Sequence, residues 1–325
     1  MATTLSSLHL ANLLDYAACK GIDRSALQRL LYTPDADRTD GKGRVSRSEY
    51  CQVWEQMLQL SRDPHLGLHY GCFLNLKALG LIYQISLAAS SIGQAMRLLD
   101  DYLNQTFSVV SLTSDVGPEH LVITLQSDLP EGPVRRHILD SVLFLMYREL
   151  GVLIEGPVSE VQLPHDDLSE YRRLCQSSVV RADAHRLRLT TGQVAGPINR
   201  RHLRQIETLL PIFLQLLDQS PNPQTPFAQQ VRTMTLSLCA PELPTLDQVV
   251  AQFSLSHRTF QRRLTQENTS FRIIADDLKR QLSHYLEEGR SLRTQDIAYV
   301  LGYSSPSAYL HAVKKWRTQP FFDGM

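Results

Sequence analysis

A short phrase occurs twice in this chain, and the distance between its copies limits the fold more than any other feature. Residues 296–316 read DIAYVLGYSSPSAYLHAVKKW, and forty-nine positions earlier the chain reads DQVVAQFSLSHRTFQRRL. In the first copy Leu246, Val249, Val250 and Phe253 share one helical face, and Thr245 is placed to accept a backbone N–H at the helix start. After an SLS turn, Ser256 is placed to cap a second helix, HRTFQRRLTQ. On it Phe260 and Leu264 form an inward stripe, while Arg258, Gln261, Arg262 and Thr265 recur at i, i+3, i+4 and i+7 on the outward side. The second copy follows the same plan. Ile297, Ala298 and Leu301 line a first helix, Gly302 permits its stop, and Ser305-Pro306 supplies a cap followed by proline at the first helical position. Tyr309, Ala312, Val313 and Trp316 then face a core, which leaves Ser307, Ala308, His311, Lys314 and Lys315 on or near the open side. Each copy is a helix, a tight turn and an amphipathic helix with a polar outer row. That is a helix-turn-helix, the device that lays its second helix in the major groove of DNA, and it is predicted at 245–266 and again at 294–316.

Between the copies, apolar residues at 271, 274, 275, 278, 282, 285 and 286 predict one long amphipathic helix that stops at Gly289. Such a helix is a rod. Two readers held apart by it can enter successive major grooves on one face of B-DNA, about 34 Å apart. The split of charge agrees in sign: from residue 226 onward twelve Lys and Arg face nine Asp and Glu, a net +3, against −3 for the remainder of a chain whose total is zero.

A length of 325 residues exceeds what one core usually organises, so two domains are expected. The boundary is read at DQSPNPQTPF, 218–227, whose three prolines among polar residues make a stiff exposed connector. This gives a first domain over 1–219, a linker over 220–225 and a second domain over 226–325. In the first, SVVSLT (108–113) and HLVITLQ (120–126) predict a hairpin around Gly117-Pro118, and 134–151 a long apolar helix. The segment 202–217 reads as helical apart from Pro211, with an apolar face suited to the domain core or to a dimer seam. The expected architecture is an α+β domain with a small mixed sheet, then an all-α domain with two helix-turn-helix motifs joined by a long linker helix.

Other features narrow the setting. The N-terminus lacks the pattern of a secretory signal, and VLFLMY (142–147) falls far short of the roughly 20 apolar residues that span a bilayer, so a cytoplasmic protein with no membrane partner is expected. Five scattered cysteines with no C-x-x-C pair fit reduced buried thiols better than a disulfide framework or a zinc site.

The paired motifs resemble the AraC/XylS family of bacterial transcription regulators over roughly the last hundred residues: VVAQFSLSHRTFQRRL matches the first reader and IAYVLGYSSPSAYLHAVKKW the second. The chain departs from that pattern at Val250 and Ser254 in the first reader and at His311, Val313 and the tail RTQPFFDGM in the second, whose departures imply a second reader that either contacts DNA weakly or serves mainly as a phosphate clamp. Upstream, DPHLGLHYG (63–71), LGLIYQISLAASSIGQAMRLLDDYLN (79–104) and VQLPHDDLSEYRRL (161–174) resemble the arabinose-binding-type sensor of regulators related to ornithine- and quorum-responsive AraC proteins. The resemblance implies binding to double-stranded promoter DNA, a small-molecule effector or self-association through the sensor, a homodimer, and contact with RNA polymerase if the protein activates. The alternative is a small-molecule-binding protein or enzyme with a vestigial helix-turn-helix tail.

The DNA-contacting residues expected are His257, Arg258, Thr259, Gln261 and Arg262 in the first reader and Ser305, Ser307, His311, Lys314 and Lys315 in the second. Arg258 or Arg262 can pair bidentately with guanine and Gln261 with adenine, whereas Lys314 and Lys315 suit phosphates. A solvated helix face competes with each assignment. His65 and His69, four apart, read as structural rather than as metal ligands, and His165-Asp166-Asp167 as structural or capping rather than as a general base. No phosphate-cradling glycine loop and no G-x-S-x-G turn occurs, so no catalytic centre, metal or cofactor is expected; effector-binding residues are not legible.

Overall fold

Local capping explains where most helices begin. Ser46 accepts from the Glu49 N–H while the Glu49 carboxylate accepts from the Ser46 N–H, and this reciprocal box starts the helix Arg47–Leu60. Ser6 caps Ser7–Cys19 and Ser91 caps Ile92–Thr106 in the same region of the chain. The computed structural model describes residues 4–31, 43–74, 81, 84–217, 226–239, 243–253, 255–288 and 293–317. The linker at 220–225, Ser254, the stop at Gly289 and the tail beyond residue 317 lie outside the described residues.

In chain order the first part contains β1 (Thr4–Ser6), α1 (Ser7–Cys19), α2 (Arg24–Gln28), β2 (Arg44–Ser46), α3 (Arg47–Leu60), α4 (Leu66–Phe73), α5 (Ile92–Thr106), β3 (Ser111–Val116) and β4 (His120–Gln126). It continues with α6 (Pro133–Leu153), β5 (Glu160–Leu163), α7 (Ser169–Leu174), β6 (Ser178–Arg181), β7 (Arg186–Thr190), α8 (Thr191–Ala195) and α9 (Arg200–Leu217). The five-stranded sheet has the order β3-β4-β7-β5-β6, antiparallel except for the β5–β6 pair, and β1 and β2 form a separate antiparallel pair. The expected small mixed sheet is therefore present. One strand is displaced from its predicted position: β3 starts at Ser111, because Val109 and Val110 are buried in the approach to the sheet, and runs on to Val116. Pro211 does not break α9. Leu203, Ile206, Leu209 and Phe213 bury along one stripe of that helix, so the apolar face joins the core.

Glycine sets a close helix approach in the first part. A Cβ on Gly67 would lie 2.1 Å from the His137 carbonyl oxygen, and one on Gly71 would lie 2.6 Å from that of Ser141. These two residues, one helical turn apart, let α4 lie backbone to backbone on α6. The Gly67 N–H donates to His137 Nδ1 at 3.1 Å, and the His137 ring stacks on Trp54. Burial lowers the His137 pKa to about 4, so the ring stays neutral and can accept that bond at pH 7.

The second part is helical: α10 (Phe227–Ser237), α11 (Leu246–Ala251), α12 (His257–Gln266), α13 (Phe271–Glu288), α14 (Thr294–Val300) and α15 (Pro306–Arg317). Helix α10 packs on α11, α12 and α13 on one side and on α1, α4 and α9 on the other. Val231, Met234 and Thr235 on it are fully buried. Four of the five cysteines are buried, and all five are free thiols.

Candidate nucleic-acid interface

Each pair of helices is closed by its own small core. In the first, Phe227, Phe253 and Phe260 meet edge to face with centroids 5.2–5.6 Å apart, and Leu264 is buried beside them. Thr245 and Gln248 form a reciprocal capping box at α11, and Ser256 caps α12 by accepting from the Thr259 N–H. In the second, Tyr303, Tyr309 and Trp316 form the cluster, and the Tyr309 hydroxyl donates to Glu287 at 2.6 Å and meets Ser283 at 2.7 Å on the rod α13. Gly302 holds φ +74°, the left-handed turn between α14 and α15 that a side chain would strain. Ser305 then accepts from the Ala308 N–H. These helices are tied by side chains: α13 is joined to α15 through Tyr309 and to α10 through Arg232, which donates to Asp277 at 3.1 Å and to Gln281 at 2.7 Å.

The residues singled out from the sequence fall into two groups. Arg258, Gln261 and Arg262 are exposed on one face of α12, with His257 exposed at its first turn. Ser307, His311, Lys314 and Lys315 are exposed on α15. Thr259 and Ser305 are half-buried and engaged at helix starts: the Thr259 hydroxyl meets Ser256 at 3.0 Å, and Ser305 is the cap itself. His257 Nε2 lies 3.5 Å from Asp247 Oδ1, and Lys315 Nζ lies 4.0 Å from Asp276 Oδ2. Exposed pairs of this kind are weak.

Behind α11 runs a seam with the first part. Lys20, the C-cap of α1, donates from Nζ to Asp63 Oδ2 at 2.8 Å and to the backbone carbonyl of Gln252. Arg173 on α7 donates to the Asp247 carbonyl at 3.4 Å, and Arg148 on α6 to the Leu238 carbonyl at 3.2 Å. A cleft of about 660 Å³ opens here between Asp63, His65, His69, Glu170 and Arg173 on one wall and Thr245, Gln248 and His257 on the other. His69 is clamped between carboxylates, Nδ1 2.6 Å from Asp63 and Nε2 2.9 Å from Glu170. Burial alone would lower its pKa, but the bonds to Asp63 and Glu170 outweigh burial and raise it. These contacts hold the His69 ring in place.

His165 belongs to a second buried network. Its Nε2 lies 2.6 Å from Asp140 Oδ1, and His185 Nε2 lies 2.8 Å from the same oxygen. Burial opposes ionisation of Asp140, yet the two imidazoles hold its carboxyl below the usual range. Among the described residues this is the one His/Asp group close enough to share a metal ion, and the two hydrogen bonds already account for its geometry. Asp167 Oδ1 accepts from the Ser169 N–H at 2.9 Å, a turn just ahead of α7, whose N-cap is Leu168. The sequence reading missed Lys20, Arg148 and Arg173. Each is separated by 74 or more residues from its partner across the seam, and no periodic pattern reports such a contact.

A mixed-sheet domain followed by capped pairs of helices bearing exposed basic faces defines a class of two-part nucleic-acid-binding regulators. Within that class, residues 21–193 match the model of the arabinose-binding domain of AraC transcription regulators, N-terminal, and the chain belongs to that family of transcription regulators. Among curated proteins it is similar to the ornithine utilization regulator of Pseudomonas aeruginosa, 22% identical over 94% of this chain and 91% of that one. It is also similar to an uncharacterized HTH-type transcriptional regulator of Mycobacterium bovis, 33% identical over 22% of this chain and 21% of that one. Among solved structures it aligns with transcriptional regulator CdpR from Pseudomonas aeruginosa over 96% of this chain and 95% of that one, at 20% identity and a TM-score of 0.44. The relatives are transcription regulators rather than enzymes. Among the described residues no helix is long and apolar enough to cross a membrane.

Proposed function

We propose that α12 and α15 are the recognition helices of two helix-turn-helix motifs and that α13 holds them in step with the DNA duplex. The observation that carries this reading is the division of each helix: Phe260 and Leu264, or Tyr309 and Trp316, lock one face into a core while the basic and amide side chains are exposed on the other. Arg258 and Arg262 offer bidentate donors to guanine O6 and N7, and Gln261 can both donate to and accept from adenine. Lys314 and Lys315 neutralise phosphates, and His311 lies between them and the base edges. Thr259 and Ser305 act through helix-start geometry, as phosphate contacts at most.

The domains are read as a sensor over 1–219 and a reader over 226–325, in the cytoplasm, with promoter DNA as the partner and a homodimer as the working unit. An effector or self-association acting on the sensor changes promoter occupancy only by favouring one conformational state over another. The seam through Lys20, Arg148 and Arg173 is where that preference is transmitted. If the protein activates, RNA polymerase is the further partner. A gel-shift on the region upstream of its own operon, at several salt concentrations, tests the reading. Sequence-dependent retardation that weakens steeply with salt is expected. Equal affinity for random DNA would favour a small-molecule-binding protein with a vestigial tail.

A further inference from the structure

A second cavity lies wholly within the first part, between α1, α3, α4, α5 and α6, with a volume of about 330 Å³. That is at the small end of the roughly 300–1,000 Å³ found for ligand pockets. Its walls are apolar over most of their extent, with Leu8, Leu74, Leu99, Leu103, Phe107 and Met146 among them. Tyrosines 50, 70 and 102 add aromatic faces. One acidic group interrupts this lining. Glu149 sits on α6, is 3% exposed, and both of its carboxyl oxygens are sealed from bulk solvent. Among the described residues that line the cavity there is no Lys or Arg, and His9, the one basic ring, is lowered to about 4 by burial and by Arg44 and so is neutral at pH 7.

We propose that this cavity is the effector site and that it takes a small, mainly apolar amine whose ammonium pairs with the Glu149 carboxylate. The inference rests on the regulator reading above and adds to it the site and the ligand class. The signs of charge decide the class: an acid would enter a lining that offers it an acid and no cation, whereas an ammonium meets a counter-charge and tyrosine rings that favour cations. The size suits a molecule of about ten non-hydrogen atoms, since liquid water takes about 30 Å³ per molecule. Burial raises the Glu149 pKa to about 8, partly offset by Arg148, so the empty site is mostly protonated at pH 7. Entry of the ammonium then displaces one proton from the carboxyl to solvent, and charge balances.

The cavity is wired to the reader by its own walls. Helix α1 contributes Leu8 and His9 to the lining and ends at Lys20, which grips the Gln252 carbonyl. On α6 the residue beside Glu149 is Arg148, which grips the Leu238 carbonyl. An occupant that re-seats either helix moves a contact on α10 or α11.

The test is calorimetric titration of the full chain with 2-phenylethylamine, 2-phenylethanol and phenylacetate, together with the variants Glu149→Gln and Leu103→Phe. The amine is expected to bind saturably and to release close to one proton at pH 7, as read from buffers of different ionisation enthalpy. Its affinity should fall at least tenfold in Glu149→Gln and vanish when Leu103→Phe fills the cavity, with both variants retaining the circular dichroism of the parent. No saturable binding of the amine, preference for phenylacetate, or an affinity unchanged in Glu149→Gln would each overturn the proposal. A gel-shift on the same samples separates the two claims. Sequence-specific retardation without amine binding sinks only the cavity assignment, whereas loss of sequence preference sinks the regulator reading whatever the amine does.

Discussion

Arg262 and Gly67 show how differently single residues act in this molecule. Arg262 is exposed on α12, away from the phenylalanine cluster, so its removal should leave folding untouched. Arg262→Ala is expected to weaken binding of the target site by about 1–3 kcal/mol and to relax specificity at one base pair, measured by competition with single-position site variants. An equal loss on every sequence would reduce Arg262 to a phosphate contact. Gly67 does the reverse. A methyl there would stand 2.1 Å from the His137 carbonyl oxygen, a backbone atom with nowhere to yield, so Gly67→Ala must push α4 off α6. Overpacking of this kind costs about 1–3 kcal/mol, and a lowered urea midpoint with an unchanged slope should report it.

At the scale of elements, much was legible because the signals are local. The caps Thr245, Ser256 and Ser305, the stop at Gly302 and the buried stripe of Tyr309 and Trp316 all lie within one or two turns of what they control. The sheet was legible only in part. A hairpin announces itself through alternation, as β4 does, but β5, β6 and β7 are short and their order depends on pairings that local pattern does not encode. The buried networks were invisible for the same reason: Asp140 finds His165 and His185 from 25 and 45 residues away, and His69 finds Glu170 from 101. Glu149 left only an ambiguous trace, as one of two adjacent charges, with Arg148, in the largely apolar SVLFLMYRELGVL. The rod offers an element-scale experiment. One residue inserted near the middle of α13 turns everything beyond it by about 100° and advances it by about 1.5 Å. Such an insertion should keep helix content and abolish binding to sites that need both readers, whereas an insertion in a surface loop of the sensor should not.

For the whole molecule, the seam between the first and second parts makes stability depend on pH in a definite direction. The pKa of His69 is raised above its unfolded value of about 6.5, so the stability it contributes is complete below that value and is lost as pH rises through the folded pKa. Its partners have the opposite sign. Burial works against ionisation of Glu170, but Arg173 and His69 bring its pKa down to about 2, and Asp63 is likewise held low, chiefly by His69 once burial is overcome. Their contribution is complete above the ordinary carboxylate range and fades as pH falls toward those lowered values. Clamp and seam should therefore be tightest between roughly pH 5 and 6.5. The difference in Tm between the parent and His69→Gln should shrink steadily from pH 6 to pH 9; a difference that does not change over that span would show that folding does not raise the His69 pKa. The sensor grips the reader through Lys20 at the Gln252 carbonyl, and Lys20→Met should loosen that grip, read as faster amide exchange in α11.

The most direct measurement is a hydroxyl-radical footprint of the full chain on its target promoter. For each protomer bound, two recognition helices set by a rigid rod should protect two patches about 10 base pairs apart on one face of the duplex, and Arg262→Ala should weaken only the patch under α12. A single protected patch, or two on opposite faces, would contradict the paired reader.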